Sequence, residues 1–545
     1  MTTTRDHHAP FDHLPERRRT DVDVLVVGGG PAGLAAALSL SRAGRSVVVV
    51  DAGAPRNAPA IGVHNLLGDE GATPADLMAR GRQEVEAYGA RVVEARVVEA
   101  APLPDLAGDP AFTVTVEGAA GTREMTARRL VLATGAVDTL PDVAGLAEHW
   151  GRHVLHCPFC HGAEVRDHEI VVLGTTVLAG HSGLLWRQWT PHVTLLLDPA
   201  VALQPLEVER LHARGVRVVV GVAAALETAA GRVVGVRTEA GEVLACSEVV
   251  TPTVASPSRE VRDGVLRGLG LATAPFEVQG AVFGDRLEVS PMGATTTPGV
   301  YAAGNLVEPH VQVVASRAAG AQVAAAVLMD LIEADADEAV VAARASFFEV
   351  DAWEERFGGE EALFSGRVNA TLAAVAADLA PGRALDVGSG EGGDVLWLAE
   401  QGWQATALEF SAAGRRRTQE RAEAAGLADR VAVRGDDVRL FDAGGETWDL
   451  VTAFFVHLPD GGMVDVTRRL GEAVAPGGTL LVVGRHPGDM PVGSPMRVYT
   501  HTAEQLASAL DPAMWQVTCE DRVRVQAHDG AEQVMTDAVL RARRL

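Results

Sequence analysis

Val22 to Val27 form a short apolar run that ends in Gly28-Gly29-Gly30-Pro31-Ala32-Gly33, Leu34 to Leu40 follow with helical periodicity, and Ser46 to Val50 return to a strand-like run closed by Asp51. This order predicts a βαβ unit. Gly28 permits the tight turn, Gly30 lets the backbone approach a pyrophosphate, and Gly33 lets helix and strand pack closely, while the helix N-terminus favours the phosphate charge. Asp51, about twenty positions past the glycines, stands where a ribose hydroxyl is bound in such units. Glycines, strand, helix and acid together specify more than a glycine-rich turn would.

Further apolar runs extend the α/β alternation. Leu130 to Ala133 lead into Thr134-Gly135, and Val300 to Ala303 into Gly304-Asn305. Between them, Ile170 to Leu173 lead into Gly174-Thr175-Thr176-Val177-Leu178-Ala179 and a predicted helix through Trp189, the layout of a second dinucleotide unit inserted into the first. Its glycine code is damaged: Thr176 stands where the second glycine would admit a pyrophosphate. Asp198 follows the next strand, Val193 to Leu197, and no arginine comes until Arg210, so the usual partner of a 2′-phosphate is missing. Ala318 to Ala343 read as an alanine-rich helix, and the acidic stretch Glu333 to Glu338 as a surface linker, placing a boundary near residue 345.

Beyond it the alternation resumes with strand-like Ala384 to Val387, helix-like Asp394 to Gln401, and strand-like Ala405 to Leu408, Leu450 to Phe454 and Thr479 to Val483. A second α/β domain is expected. Its first strand runs into Asp386-Val387-Gly388-Ser389-Gly390-Glu391-Gly392, a second nucleotide-type fingerprint. The domains expected are a polar tail over 1–20, a dinucleotide domain over 21–145 and 253–345, an inserted domain over 146–252, and a separate domain over 346–545. No low-complexity segment or solenoid repeat is present.

Composition narrows the reading. A chain of 545 residues exceeds what one core usually serves, and its 47% hydrophobic and 22% charged residues are those of a globular protein. No apolar run reads as long enough to span a bilayer. The formal net charge of −25 disfavours nucleic acid and anionic membranes as partners. The clusters Arg17-Arg18-Arg19 and Arg415-Arg416-Arg417 read as solvated faces. The sequence contains no lysine, which excludes Schiff-base chemistry and lysine-dependent phosphate loops. The polar N-terminus carries no credible export signal, so a cytoplasmic location is expected.

With four cysteines in so long a chain, a structural disulfide framework is not expected, and Cys157-Pro158-Phe159-Cys160-His161 suits dithiol–disulfide exchange. His161 could hold or shuttle the proton. Covalent haem attachment matches the same string but needs export; zinc binding with His153, His156 and His161 lacks a second cysteine pair; an inert buried pair stays open. No metal site is expected. Cys246 and Cys519 read as core residues.

From about Val22 to Ala326 the chain resembles the low-molecular-weight thioredoxin reductase family, in which an FAD-binding domain is interrupted by a nicotinamide-binding domain with a redox Cys-x-x-Cys. The resemblance implies that Gly28, Gly30, Gly33 and Asp51 serve FAD, with Thr134 and Gly135, then Thr297 to Asn305 including Gly304, as second and third segments, and Gln312 in the flavin-ring segment. It implies that Cys160 faces the isoalloxazine and Cys157 exchanges with substrate. The family's Asp in the third segment is Asn305 here, able to hydrogen-bond the ribityl chain without charge. His161 replaces an acidic residue, and the inserted domain lacks the intact NADPH code. An aromatic inside the Cys-x-x-Cys with His after it is similar to FAD-dependent dithiol oxidases of disulfide-containing natural products.

Asp386, Gly388, Gly390 and Gly392 after a strand, Glu409 ending the next one, Asp436, Asp449-Leu450-Val451 to His457, and Pro476-Gly477-Gly478 together resemble class I S-adenosylmethionine methyltransferases. The resemblance implies that Glu409 binds the ribose and Asp436 the adenine. Trp353 to Asn369 resembles the lid of small-molecule methyltransferases of the tellurite and thiopurine type, and His457 reads as a base or as a wall residue. The combined expectation is a bifunctional enzyme that oxidises or reduces a dithiol and S-methylates a small thiol. Two alternatives stay open: an NADPH-dependent reductase of a thioredoxin-like protein fused to an unrelated methyltransferase, and a redox-sensing module that regulates methylation. A homodimer is expected from the resemblance alone.

Overall fold

The computed structural model describes residues 20–103, 109–359, 362–459, 461–528 and 531–545. Most of the expected polar tail, with Arg17-Arg18-Arg19, lies outside them. The chain divides into two compact units, one up to Glu338 and one from Ala339.

In the first unit, Val22–Val27 pairs in parallel with Val47–Asp51 on one side and Gly121–Leu132 on the other. The flanking strands are the start of Arg91–Leu103 and Val300–Ala302, also parallel. Strand alternation is visible in the core: Val24 and Val26 pack with helix Pro31–Arg42 residues Ala36 and Leu40, whereas Leu25 and Val27 face Phe112, Val265 and Leu269. Arg91–Leu103 and Gly121–Leu132 run on past the parallel sheet and join through Ala111–Gly118 into an antiparallel meander. The strand expected at 130–133 is therefore the end of a much longer one.

The inserted domain is a second parallel sheet in the order Arg217–Val220, Val193–Leu197, Ile170–Gly174, Glu248–Val250, Val154–Leu155. Its first helix is shorter than expected, Ala179–Trp186. The chain enters and leaves this domain through Val137–Thr139 and Val254–Ser256, which pair antiparallel.

The helix expected over 318–343 runs from Val313 to Phe348, so the acidic stretch 333–338 lies inside it and is not a linker between elements. Ala, Glu and Asp at these positions sustain a helix once it is nucleated, and Asp330 and Asp335 are held by Arg129 and by Arg45 and Arg128. The boundary thus falls inside a helix, seven residues before the expected one. By length and composition alone this helix could cross a bilayer, against the expectation that nothing could. Val323, Ala324, Val327 and Leu331 are instead buried against the first sheet.

The second unit carries a seven-stranded sheet in the order Val431–Arg434, Gln404–Leu408, Arg383–Val387, Trp448–Phe454, Val474–Arg485, Ala531–Arg544, Trp515–His528. The first five run parallel and the last two form an antiparallel hairpin that the motifs do not announce.

Candidate active sites

Each unit holds a large cavity at the carboxyl end of its first strand, where open α/β sheets bind ligands. The first, about 790 Å³, brings together Gly28, Gly30, Asp51, Thr134, Gly135, Cys157, Cys160, His161, Gly304, Asn305 and Gln312. Gly33 is not in its wall, for the reason its place in the code requires: a Cβ there would lie 1.9 Å from the Gly28 carbonyl oxygen. Around Gly30, by contrast, a Cβ would meet nothing within 4 Å, so the backbone at the helix N-terminus stands open to the cavity. The Thr134 hydroxyl and Arg82 Nε are buried there without a hydrogen-bond partner among the described residues, an unmet demand that a bound dinucleotide would satisfy. Asp51 accepts from Gly53 N at 3.2 Å and is ion-paired with Arg82, an arginine without any motif signal.

Of the two half-buried cysteines, Cys157 caps a single helical turn, Pro158–His161, and Cys160 lies within it, with Sγ atoms 2.7 Å apart. Gln312 Nε2 donates to Cys160 Sγ at 3.4 Å, which places Cys160 on the side of the flavin-ring segment. The hydrogen bond between the two sulfurs, with Gln312 and the nearby charges of His64 and Arg56, pulls Cys160 down to about 7 despite burial. Cys157 moves the other way, raised by that same bond and by burial. Cys160 is therefore the thiolate of the pair. Burial lowers His161, which stays neutral and able to accept a proton. His64 bridges Glu70 at 2.7 Å and Glu164 at 3.4 Å. Phe159 within the pair is 57% exposed and meets Trp189 edge to face.

In the inserted domain, Thr176 Oγ1 accepts from Leu178 N at 3.3 Å and Asp198 Oδ1 from Ala200 N at 2.8 Å. Both side chains serve their own turns.

The second cavity, about 800 Å³, brings together Asp386, Gly388, Gly390, Glu409 and Asp436 with Trp353, Phe357 and Phe364 of the lid segment. Gly388, Gly390 and Gly392 take φ of 68°, 54° and 79°, open only to glycine without strain. Gly392 lies behind the wall, where a Cβ would lie 2.6 Å from Thr418. Ser389 Oγ is buried in the turn without a hydrogen-bond partner among the described residues. Glu409 accepts from Gly390 N and Ser411 N, both at 2.9 Å, so its first task is to brace the glycine turn. Asp436 is exposed and pairs with Arg434 at 2.8 Å. Asp386, bonded by Thr452 at 2.7 Å, is raised well above the usual carboxylate range by burial and by Asp394. Asp394, raised to about 6 by burial, and Glu391 were not anticipated, although both lie in or beside the fingerprint. Glu391 accepts from Leu363 N and Phe364 N at 3.2 and 3.1 Å and is gripped by Arg417, fastening the lid to the glycine turn. His457 donates from Nδ1 to the Tyr499 carbonyl at 3.3 Å and is pulled down to about 4 by burial, leaving Nε2 as an acceptor.

Residues 22–326 match the family described as pyridine nucleotide-disulphide oxidoreductase, and residues 384–478 match a methyltransferase domain. The chain belongs to the pyridine nucleotide-disulphide oxidoreductase family and carries a fused methyltransferase domain, both enzymatic. It is 32% identical over 327 residues to a thioredoxin reductase, sirT, of Leptosphaeria maculans, covering 57% of this chain and 95% of the relative. It is 30% identical to the thioredoxin reductase tcpT of Claviceps purpurea, covering 52% and 86%. The crystal structure of HlmI shares 37% identity at a TM-score of 0.53, covering 60% of this chain and 97% of its own. The families imply FAD and S-adenosylmethionine, and the orphaned hydroxyls, open glycines and bracing carboxylates fit both.

Proposed function

We propose a bifunctional enzyme of small-molecule thiols, in which a flavin-linked dithiol site oxidises a dithiol and a methyltransferase site S-methylates a thiol. FAD in the first cavity would supply a two-electron acceptor that passes its electrons to oxygen, and S-adenosylmethionine in the second would supply the methyl group. The observation that carries the reading is Cys160 held by Gln312 in the flavin cavity, beside an inserted domain whose Thr176 and Asp198 are engaged in their own turns.

With Cys157 and Cys160 joined as a disulfide, a substrate thiolate attacks Cys157 Sγ; the S–S bond breaks and Cys160 leaves as the thiolate its surroundings favour. The substrate's second thiol, giving its proton to His161, attacks the substrate sulfur of the mixed disulfide and expels Cys157. The substrate is oxidised by two electrons and the cysteine pair is reduced by two. In the second unit the carboxylates orient the cofactor, the aromatic lid excludes water, and His457 Nε2 can take the thiol proton; orientation supplies most of the rate for methyl transfer.

Anaerobic titration tests the reading. Dithiothreitol should bleach the flavin, air should restore it, and NADPH and NADH should leave it yellow; prompt bleaching by NADPH overturns it. The relatives named thioredoxin reductase favour that second reading, an NADPH-dependent reductase of a thioredoxin-like protein. Methylation found only on oxygen or nitrogen acceptors would remove the thiol from the second site. The proposal includes a cytoplasmic homodimer with neither nucleic acid nor membrane as partner.

A further inference from the structure

The departure at Asn305 and an arginine without a motif signal meet in one place. Asn305 Nδ2 lies 3.1, 3.2 and 3.1 Å from the carbonyl oxygens of Glu308, Pro309 and Val311. Its amide donors are thus engaged by the loop that leads to Gln312, rather than left for a ribityl chain. A carboxylate at 305 could not donate and would set a charge against three acceptors, a physical reason for Asn in place of the expected Asp. The Pro309 carbonyl also accepts from Arg56 Nη1. The other edge of Arg56 grips Asp138, Nε to Oδ2 at 2.7 Å and Nη2 to Oδ1 at 2.6 Å.

Asp138 lies in Val137–Thr139, the strand by which the chain enters the inserted domain. Thr253, just before the returning strand Val254–Ser256, donates its hydroxyl to Asp138 at 2.9 Å. The Asp138 side chain is 6% exposed and that of Arg56 18%, so the fork-to-fork pair is largely withdrawn from water, where its geometry is stiff and removal of one partner is costly. One guanidinium therefore ties both connectors to the loop that carries Gln312.

We propose that Arg56 is a positioning residue that holds the inserted domain against the flavin cavity, so that the cysteine pair stays seated beside Gln312 through turnover and is met there by a thiol small enough to enter. The charge of Arg56 also favours the Cys160 thiolate, so one side chain serves placement and electrostatics. The inference rests on the dithiol reading for its substrate and on the ion-pair geometry for the rest.

The test uses the full-length, flavin-loaded chain with Arg56→Met and Asp138→Asn, followed by hydrogen exchange of peptides covering residues 137–139 and 253–256. Both variants should exchange at least about tenfold faster there, with Val22–Val27 unchanged. Should Arg56→Met fail to retain flavin, Asp138→Asn carries the test, because Asn keeps an acceptor for Thr253 while removing the charge. Unchanged exchange at both connectors in a variant that keeps its flavin overturns the proposal. Failure of the dithiol reading shows separately, as a parent flavin that dithiothreitol does not bleach.

Discussion

The two cavities are of nearly equal volume and are built alike, a strand running into glycines with an acid at the end of the next strand, yet their most buried carboxyls are partnered differently. In the first, Asp51 is matched by Arg82 and Asp138 by Arg56. In the second, Asp386, Asp394 and Glu409 have no arginine within ion-pair distance among the described residues, and burial raises all three. A balanced wall with an open helix N-terminus suits a pyrophosphate; uncompensated buried carboxyls suit a ligand with net positive charge, which a sulfonium and an ammonium supply. The glycine turn sets where a nucleotide lies, and the charges around it set which one.

The largest effects come from the first cradle. Gly33→Ala drives a Cβ into the Gly28 carbonyl and should cost about 3 kcal/mol or more, lowering the melting temperature of the flavin unit. Gly30→Ala places a Cβ that meets no protein atom within 4 Å and should leave folding intact while sharply weakening flavin retention on a desalting column. Equal melting losses for the two would break the distinction between packing glycine and ligand glycine.

In the second cavity, Asp394 bears on the charge argument. Its carboxyl is raised from 3.8 to about 6, so the folded state keeps a proton that the unfolded state has released, and stability falls as pH rises through that window. Asp394→Asn, still able to accept from Asn369 N, should flatten that fall and raise the cofactor-free stability of this unit at neutral pH by at most about 3 kcal/mol. It should also weaken S-adenosylmethionine binding by calorimetry more than binding of the uncharged thioether product. Equal weakening of both ligands would remove the cation preference.

Cys157→Ala removes the thiol that stabilises Cys160. Iodoacetamide alkylation of the reduced chain should then move its pH midpoint from about 7 toward the ordinary thiol range, with a rate at neutral pH lower by roughly tenfold. An unmoved midpoint would assign the thiolate to Gln312, His64 and Arg56 without Cys157. The smallest effect is expected from Thr176→Gly: with Asp198 in place and no arginine before Arg210, NADPH affinity should change by less than about 1.4 kcal/mol, a factor of ten. A larger gain would show that one side chain had closed the inserted turn.

What could be read from the sequence was local. Gly28, Gly30 and Gly33, or Gly388, Gly390 and Gly392, announce themselves because each answers a demand made within a few residues: a left-handed φ, a close approach, a turn into a helix. Arg56 and Asp138 are 82 positions apart, and Arg82 and Asp51 are 31 apart; no spacing rule joins them, since only the tertiary fold brings a turn and a helix against the strand ends. The meander from Arg91 to Leu132 and the final hairpin were missed for the same reason, because their pairing partners are fixed by packing. The helix over 318–343 was legible in its alanines, but taking the acidic stretch 333–338 within it as a linker weighed charge above helix propensity.

Glu391 has one further consequence. Its carboxylate holds the amides of Leu363 and Phe364 while its own backbone belongs to the glycine turn, and the Phe364 ring lies 3.3 Å from where a Cβ on Gly390 would be. Ordering of the turn by its nucleotide and ordering of the aromatic cover are then linked equilibria, and linkage is reciprocal. Whatever free energy the nucleotide lends to closing the cover, the closed cover returns as residence time of the nucleotide, so that loosening Phe364 would be felt as faster cofactor exchange at a site it does not chemically serve.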